Sequence, residues 1–293
     1  MNITVTGASG RLGSQLVKRL RERGDEVATL SRNPSSPGAV RWLPEQEPAP
    51  AAALNGRDAV IHLAGEDVAQ RWSDDAKRRI LRSRELGTRN LVAGIEAADP
   101  RPRTLISASA VGYYGPHGDE EVDEQTPAGD DFLANVCVIW EREAQRAAEL
   151  GVRVACIRTG VVLDKGGGAL EKMLPFFKLG VGGPVAGGGQ YLPWIHLDDV
   201  VGIYLATLDD DAWEGPINAS APTPVTNKAF SKALGRALHR PAFAPIPGLA
   251  VQILYGKMAE IVTSGQRVIP RRAQELGYAF AHTDLDEALR AAL

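Results

Sequence analysis

The run Val5–Gly13, "VTGASGRLG", constrains this chain more than any other stretch. Its glycines stand at positions 7, 10 and 13. The apolar "ITV" before it predicts a buried strand. The "LGSQLVKRL" after it predicts a helix with Leu12, Leu16 and Leu20 on one stripe. A strand, a glycine turn and a helix in that order suit a phosphate-bearing ligand, because the amides and dipole of a helix N-terminus favour negative charge. Gly7 then permits the tight turn, Gly10 lets the backbone approach the phosphates, and Gly13 lets the helix pack on its strand.

The chain repeats this alternation. "RGDEVATLSRNP" predicts a turn, a strand over Glu26–Leu30 and a break at Pro34. "DAVIHLAGE" contains a fully apolar strand, Ala59 to Leu63, which must be covered on both faces. A long helix (74–98), a strand ("RTLISASA"), a helix ended by Gly151 and a strand ("VRVACIRTGVVL") follow. The fold class is therefore α/β, a doubly wound parallel sheet with a small C-terminal α/β lobe. "DKGGGALEKMLPFFKLGVGGPVAGGGQYLPW" breaks the pattern with glycine and proline and reads as a flexible insert or a lid. Thr226 is a candidate N-cap for a later helix. The expected division gives residues 1–163, completed by about 194–220, to a nucleotide lobe, and 164–193 with 221–293 to a substrate or lid lobe.

Bulk properties exclude several classes. A net charge of -3 in 293 residues gives no attraction to nucleic acid or acidic membranes. No apolar run approaches a membrane span. Two cysteines, Cys137 and Cys156, are too few for a disulfide framework, which points to a reduced, cytoplasmic protein, monomer or homodimer, acting on a small molecule. Histidines at 62, 117, 196, 239 and 282 are far apart in sequence, so no metal is expected.

The second strand ends "TLSRNP". NAD-specific folds place an acid there to bond the ribose 2′-hydroxyl, whereas Ser31 and Arg32 suit a 2′-phosphate. The expected cofactor is NADP(H).

The set "TGASGRLG", "HLAGE", "SASAVGYYG" and "WIHLDDV" resembles the extended short-chain dehydrogenase/reductase superfamily, of Rossmann type. "RWSDDAKRRILRSRELGTRNLV" and the C-terminal "TNKAFSKALGRALHRPAFAPIPG…" are similar to one branch, the epimerase-family proteins related to bacterial YfcH and its animal relatives, described as NADP-dependent oxidoreductases. The resemblance covers nearly the whole chain. It implies that Gly7, Ser9, Gly10, Arg11, Leu12 and Gly13 hold the pyrophosphate, and that Ser31 and Arg32 hold the adenosine phosphate. It implies that Leu63, Ala64 and Gly65 line the adenine–ribose path, that Arg84 reaches the cofactor, and that Val161 borders the nicotinamide.

The superfamily's Tyr-x-x-x-Lys pair is absent, since the fourth residue after every tyrosine is something other than lysine. One register of "ANVCVIWERE" puts Cys137 and Glu141 in those slots, and another puts Val136 and Trp140 there. A carboxylate raises a thiol pKa, so both pairs read as helix core. The remaining candidates lie in and just after the strand "RTLISASA". Ser107 and Ser109 are placed to hydrogen-bond near the nicotinamide, Ser109 and Tyr114 form the expected catalytic pair, and Tyr113 reads as packing. In "WIHLDDV", Asp198 or Asp199 is expected to cap a helix and His196 to orient the turn. Arg267, Arg271 and Arg272 read as a solvated face or an anionic-substrate site. Three functions fit: an NADP(H)-dependent oxidoreductase, a sugar-nucleotide epimerase, and a non-catalytic NADP(H) sensor.

Overall fold

The computed structural model describes residues 1–34 and 38–293, and for Ala250, Leu254 and Tyr255 the backbone alone. Its main sheet has strands β1 (Asn2–Thr6), β2 (Glu26–Ser31), β3 (Ala39–Arg41), β4 (Ala59–His62), β5 (Thr104–Ala110), β6 (Arg153–Thr159) and β7 (Gly215–Ala219). All neighbours are parallel, in the order β3-β2-β1-β4-β5-β6-β7.

Period-two alternation explains why both faces are covered. Ile3, Val5, Ile61, Ile106 and Ile157 point to one face, where they meet Leu16 and Leu20 of α1 (Arg11–Glu22). Val200 and Tyr204 of α5 (Leu197–Asp209) share that layer. Val60, Leu105, Val154 and Cys156 point to the other face, against Leu91 and Ile95 of α2 (Asp74–Ala97) and Ala144 of α3 (Phe132–Gln145). Each fully buried leucine contributes about 1.5–3 kcal/mol.

The chain runs outward from β1 through β2 to β3, then returns to β4 on the other side of β1. The order reverses there, and such a reversal opens a crevice at the carboxyl ends of the strands. The glycine turn lies at that point.

The stretch "VRVACIRTGVVL", expected as one strand, is two. Gly160 divides it, because a Cβ there would stand 2.4 Å from the Pro193 carbonyl oxygen. Beyond the break, Val161–Leu163 leaves the sheet and pairs with Trp194–His196. The glycine-rich insert supplies α4 (Gly168–Lys178), whose Leu170, Leu174 and Phe177 build a second core. Phe230 and Leu234 of α6 (Asn227–Ala237) and Leu285 and Leu289 of the last helix complete it. Thr226 caps α6 by accepting from the Ala229 amide at 3.2 Å. Among the described residues no helix is long and apolar enough to cross a membrane.

Candidate functional site

The glycines of the opening turn have three different surroundings. Gly7 has φ +68°, and a Cβ on it would sit 2.7 Å from the Leu63 carbonyl carbon and 2.8 Å from the Ala64 nitrogen. Gly13 is buried, and its Cβ would lie 2.3 Å from the Gly7 oxygen. Both positions are locked by backbone–backbone contact. Gly10 is exposed, and a Cβ on it would meet only the Gly7 oxygen, at 3.3 Å. Gly10 N-caps α1 without a side-chain hydrogen bond, and no acidic residue stands in the first turn. The turn thus presents bare backbone and unpaired helix amides outward, which suits a pyrophosphate.

A buried relay supports the turn. The Thr6 hydroxyl accepts from the Leu63 and Ala64 amides, each at 3.2 Å. Its own proton is therefore directed to His62 Nδ1 at 2.7 Å. Nδ1 is then an acceptor, so Nε2 carries the imidazole proton and donates to the Thr88 hydroxyl at 3.1 Å. Burial, together with the charge of Arg84, lowers the His62 pKa to about 3.

Ser9 is exposed beside Gly10, while Leu12 turns inward onto the core. Arg11 has another partner: its guanidinium grips the Asp164 carboxylate, with Nη2 at 2.9 Å from Oδ1, and lies over Gly166 and Gly167. It clasps the loop after Leu163 to the first turn of α1. Ser31 ends β2, where its hydroxyl accepts from the Asn33 amide. Arg32 is exposed, and among the described residues its guanidinium has no hydrogen bond or ion pair. Gly65 is exposed and lies against Arg84, whose Cζ would be 3.2 Å from a Cβ there. Arg84 is 9% exposed, lies 4.8 Å from the centre of the Trp140 ring, and donates to the Glu66 and Ile80 carbonyls. Val161 is half-buried at the start of its short strand.

The residues expected to do chemistry are engaged elsewhere. Tyr114 is fully buried. Its hydroxyl donates to Asn218 Oδ1 at 2.7 Å and accepts from Arg158 Nη1 at 3.0 Å. Burial pushes its pKa up, despite the neighbouring guanidinium. Tyr114 is thus held by core partners, a placement that speaks against the proton-donor role expected of it. Ser107 is fully buried, and its hydroxyl donates to the Ala108 carbonyl. Ser109 donates to Glu141 Oε1 at 2.6 Å, and Glu141 in turn holds Arg158 through two bonds of 2.8 Å. Tyr113 stacks on that guanidinium, 3.5 Å from its ring centre. Of the two helix registers, the one with Cys137 and Glu141 faces this cluster: Glu141 contacts Ser109, and the Cys137 thiol is pushed up to about 12 by burial and by Glu141.

Two further readings are resolved. His196 itself caps α5 by accepting from the Asp198 amide at 3.2 Å. Asp199 is fully buried and accepts from the Ala281 and His282 amides at 2.8 and 3.0 Å, holding the C-terminal segment. The expected acidic cap is thus a histidine, and the second aspartate is a tether. Arg267 pairs with Glu121 and Arg271 with Asp123, at 3.1 and 2.9 Å, while Arg272 donates to the Ala212 carbonyl. Arg267 and Arg271 thus fasten the 121–123 segment, and Arg272 the turn at Ala212. Sequence separation also concealed one group, since the His196 and His282 rings lie 3.8 Å apart.

Comparison with known proteins bears on this arrangement. Residues 3–219 match the model of the NAD dependent epimerase/dehydratase family. The chain belongs to that family. Residues 246–292 match a domain of unknown function, DUF1731. The epimerase family protein SDR39U1 homolog, chloroplastic, of Arabidopsis thaliana is 41% identical over 99% of this chain and 86% of its own length. The mouse epimerase family protein SDR39U1 is 39% identical over 99% of each chain. The crystal structure of human epimerase family protein SDR39U1 (isoform 2) with NADPH has a TM-score of 0.90 at 37% identity, covering 100% of this chain and 99% of that one. Family membership makes the chain an epimerase- or oxidoreductase-type enzyme with a nicotinamide-nucleotide fold.

Proposed function

We propose that this protein is an NADP(H)-dependent oxidoreductase acting on a small carbonyl or alcohol substrate. The observation that carries the reading is the bare backbone at Gly10, exposed at the sheet's reversal point and backed by unpaired helix amides. Ser9, Gly10 and Leu12–Gly13 would hold the pyrophosphate. Ser31 and Arg32 would hold the 2′-phosphate, since the end of β2 carries an exposed guanidinium, unpaired among the described residues, and no acid. The human relative's complex with NADPH supports the same choice. Leu63, Ala64, Gly65 and Val161 would line the rest of the path, with Arg84 behind Gly65. When bound, the nicotinamide supplies or accepts a hydride.

The chain's own contribution to proton handling falls to Ser109. Its hydroxyl is oriented by Glu141, and Arg158 keeps that carboxylate in place. A substrate alcohol that gives its proton to Ser109 Oγ would let Ser109 pass its own to Glu141; reduction runs the same transfer in reverse. The sugar-nucleotide epimerase reading loses ground because the Tyr-x-x-x-Lys pair is absent and Tyr114 is held by core partners. Residues 1–163 with 194–220 would bind nucleotide, and 164–193 with 221–293 would cover the substrate. Both cysteines are free and buried, which supports a reducing, cytoplasmic setting.

Calorimetric titration of NADPH and NADH tests the cofactor. NADPH should bind more tightly, and Arg32→Ala should remove about 1.5–3 kcal/mol, roughly ten- to a hundredfold, of the preference. Equal affinities in the parent protein refute it. A panel of ketones, aldehydes and quinones with NADPH, run on the parent and Ser109→Ala, tests the chemistry; turnover indifferent to Ser109→Ala removes Ser109 from it.

A further inference from the structure

We propose that His196, Asp198 and His282 form a binding site for a divalent transition-metal ion of the zinc class, which fastens the C-terminal segment to the nucleotide lobe. His196 ends a short strand and caps α5, Asp198 stands in the first turn of α5, and His282 arrives from the stretch before the last helix. One ligand atom from each lies within 4.8 Å of the others. Asp198 Oδ2 is 3.6 Å from His196 Nδ1 and 3.7 Å from His282 Nε2. Zinc ligands at about 2.0–2.2 Å in tetrahedral array are separated by about 3.3–3.6 Å, so both Asp198 distances are within a few tenths of an ångström of coordination geometry, and the histidine–histidine separation, within 4.8 Å, closes as the rings turn onto the ion.

His196 and Asp198 come from a strand–helix junction, and His282 from an irregular segment tethered to it. His196 is 6% exposed. His282 is fixed from behind, because its amide and that of Ala281 both donate to the buried Asp199. The two rings already stack at 3.8 Å with 36° between their planes. Among the described residues, the hydrogen bond that a cation would displace is the one from the Asp198 amide to His196 Nδ1, at 3.2 Å.

Charge points the same way. The Asp164 carboxylate acts on His196, so Asp164, Asp198 and Asp199 surround the imidazoles, and Arg11 is the guanidinium set against them. Three carboxylates against one guanidinium leave a local excess of negative charge for a divalent ion. Two imidazoles and one carboxylate select zinc, cobalt or nickel over calcium or magnesium, which prefer all-oxygen sites. Asp198 is 57% exposed, so water can complete the coordination. An ion here would join α5, which packs on the main sheet, to the segment leading into the last helix, which packs in the second core.

The test uses full-length protein stripped with EDTA and titrated calorimetrically with zinc chloride, then with cobalt(II) followed by visible absorption. The expected result is one equivalent bound, with His282→Ala and Asp198→Asn each weakening binding at least tenfold and His239→Ala, outside the cluster, leaving it unchanged. Zinc should also slow amide exchange over residues 278–284. Asp198→Asn alters an exposed side chain, so it keeps the test open should His282→Ala fold poorly; circular dichroism reports which variants fold. Absence of saturable binding, or equal zinc affinity in parent and folded ligand variants, overturns the proposal.

Discussion

Acid should loosen the floor of the glycine turn through one residue, His62. Its imidazole is fully buried and neutral, with Nδ1 accepting from Thr6 and Nε2 donating to Thr88. The folded pKa is lowered from 6.5 to about 3, chiefly by burial. Between those values the unfolded chain binds a proton that the folded chain refuses. Stability therefore rises with pH across that window, is fully present above 6.5, and is lost as pH falls below it. The slope for one proton is about 1.4 kcal/mol per pH unit, so moving from pH 6.5 to 5 should cost about 2 kcal/mol from this group. Urea unfolding at pH 7.5 and pH 5.0 measures it. His62→Asn supplies the comparison, because its Oδ1 can take the Thr6 bond without titrating. The variant should be less stable at pH 7.5, having lost the Thr88 bond, yet lose less on acidification by about 2 kcal/mol. An equal loss in both proteins would refute the burial argument.

Tyr114→Phe leaves the Asn218 oxygen and an Arg158 donor without their partner in the core, at a cost of about 1–3 kcal/mol. Scanning calorimetry should show a lower melting temperature, while NADPH affinity is retained; unchanged melting with abolished turnover would return Tyr114 to the chemistry. Gly10→Val should fold and bind NADPH at least a hundredfold more weakly, because the space before Gly10 is open to ligand and not to protein. Gly13→Ala should instead destabilise the fold by about 1–3 kcal/mol, since its Cβ would stand 2.3 Å from the Gly7 oxygen. Thermal melts and nucleotide titrations on both variants separate the two effects, and a Gly13→Ala protein as stable as the parent would contradict the packing argument.

What could be read from the sequence was local. The strand, turn and helix at Val5–Gly13 are specified by contacts between near neighbours, so glycine spacing alone exposes them. The alternation of Ile3, Val5 and Ile61 against Val60 follows from strand periodicity, which needs no knowledge of partners. The orientation of Tyr114 was not legible, because it is decided by Arg158 and Asn218, on strands remote in sequence. Gly160 reads as an ordinary strand residue until Pro193 is brought against it. Asp199 looks like a helix cap and becomes a tether only when the C-terminal segment arrives. The pairing of Arg267 and Arg271 with Glu121 and Asp123 likewise depends on a distant loop.

The position of β7 has a consequence for biosynthesis. It covers the edge of β6, pairing Gly215 with Ala155 through Ala219 with Thr159. Between those two strands the chain makes α4, the short strands and α5. A ribosome adding about 5–20 residues per second leaves the "VACI" edge of β6 uncovered for several seconds. An uncovered apolar edge recruits other chains. Nascent chains stalled between residues 160 and 214 should therefore be sticky clients for chaperones, and a gene cut at that boundary should yield aggregates. The stretch between β6 and β7 is consequently no detachable cassette: a chain exchanged there between relatives must still deliver β7 to the edge of β6.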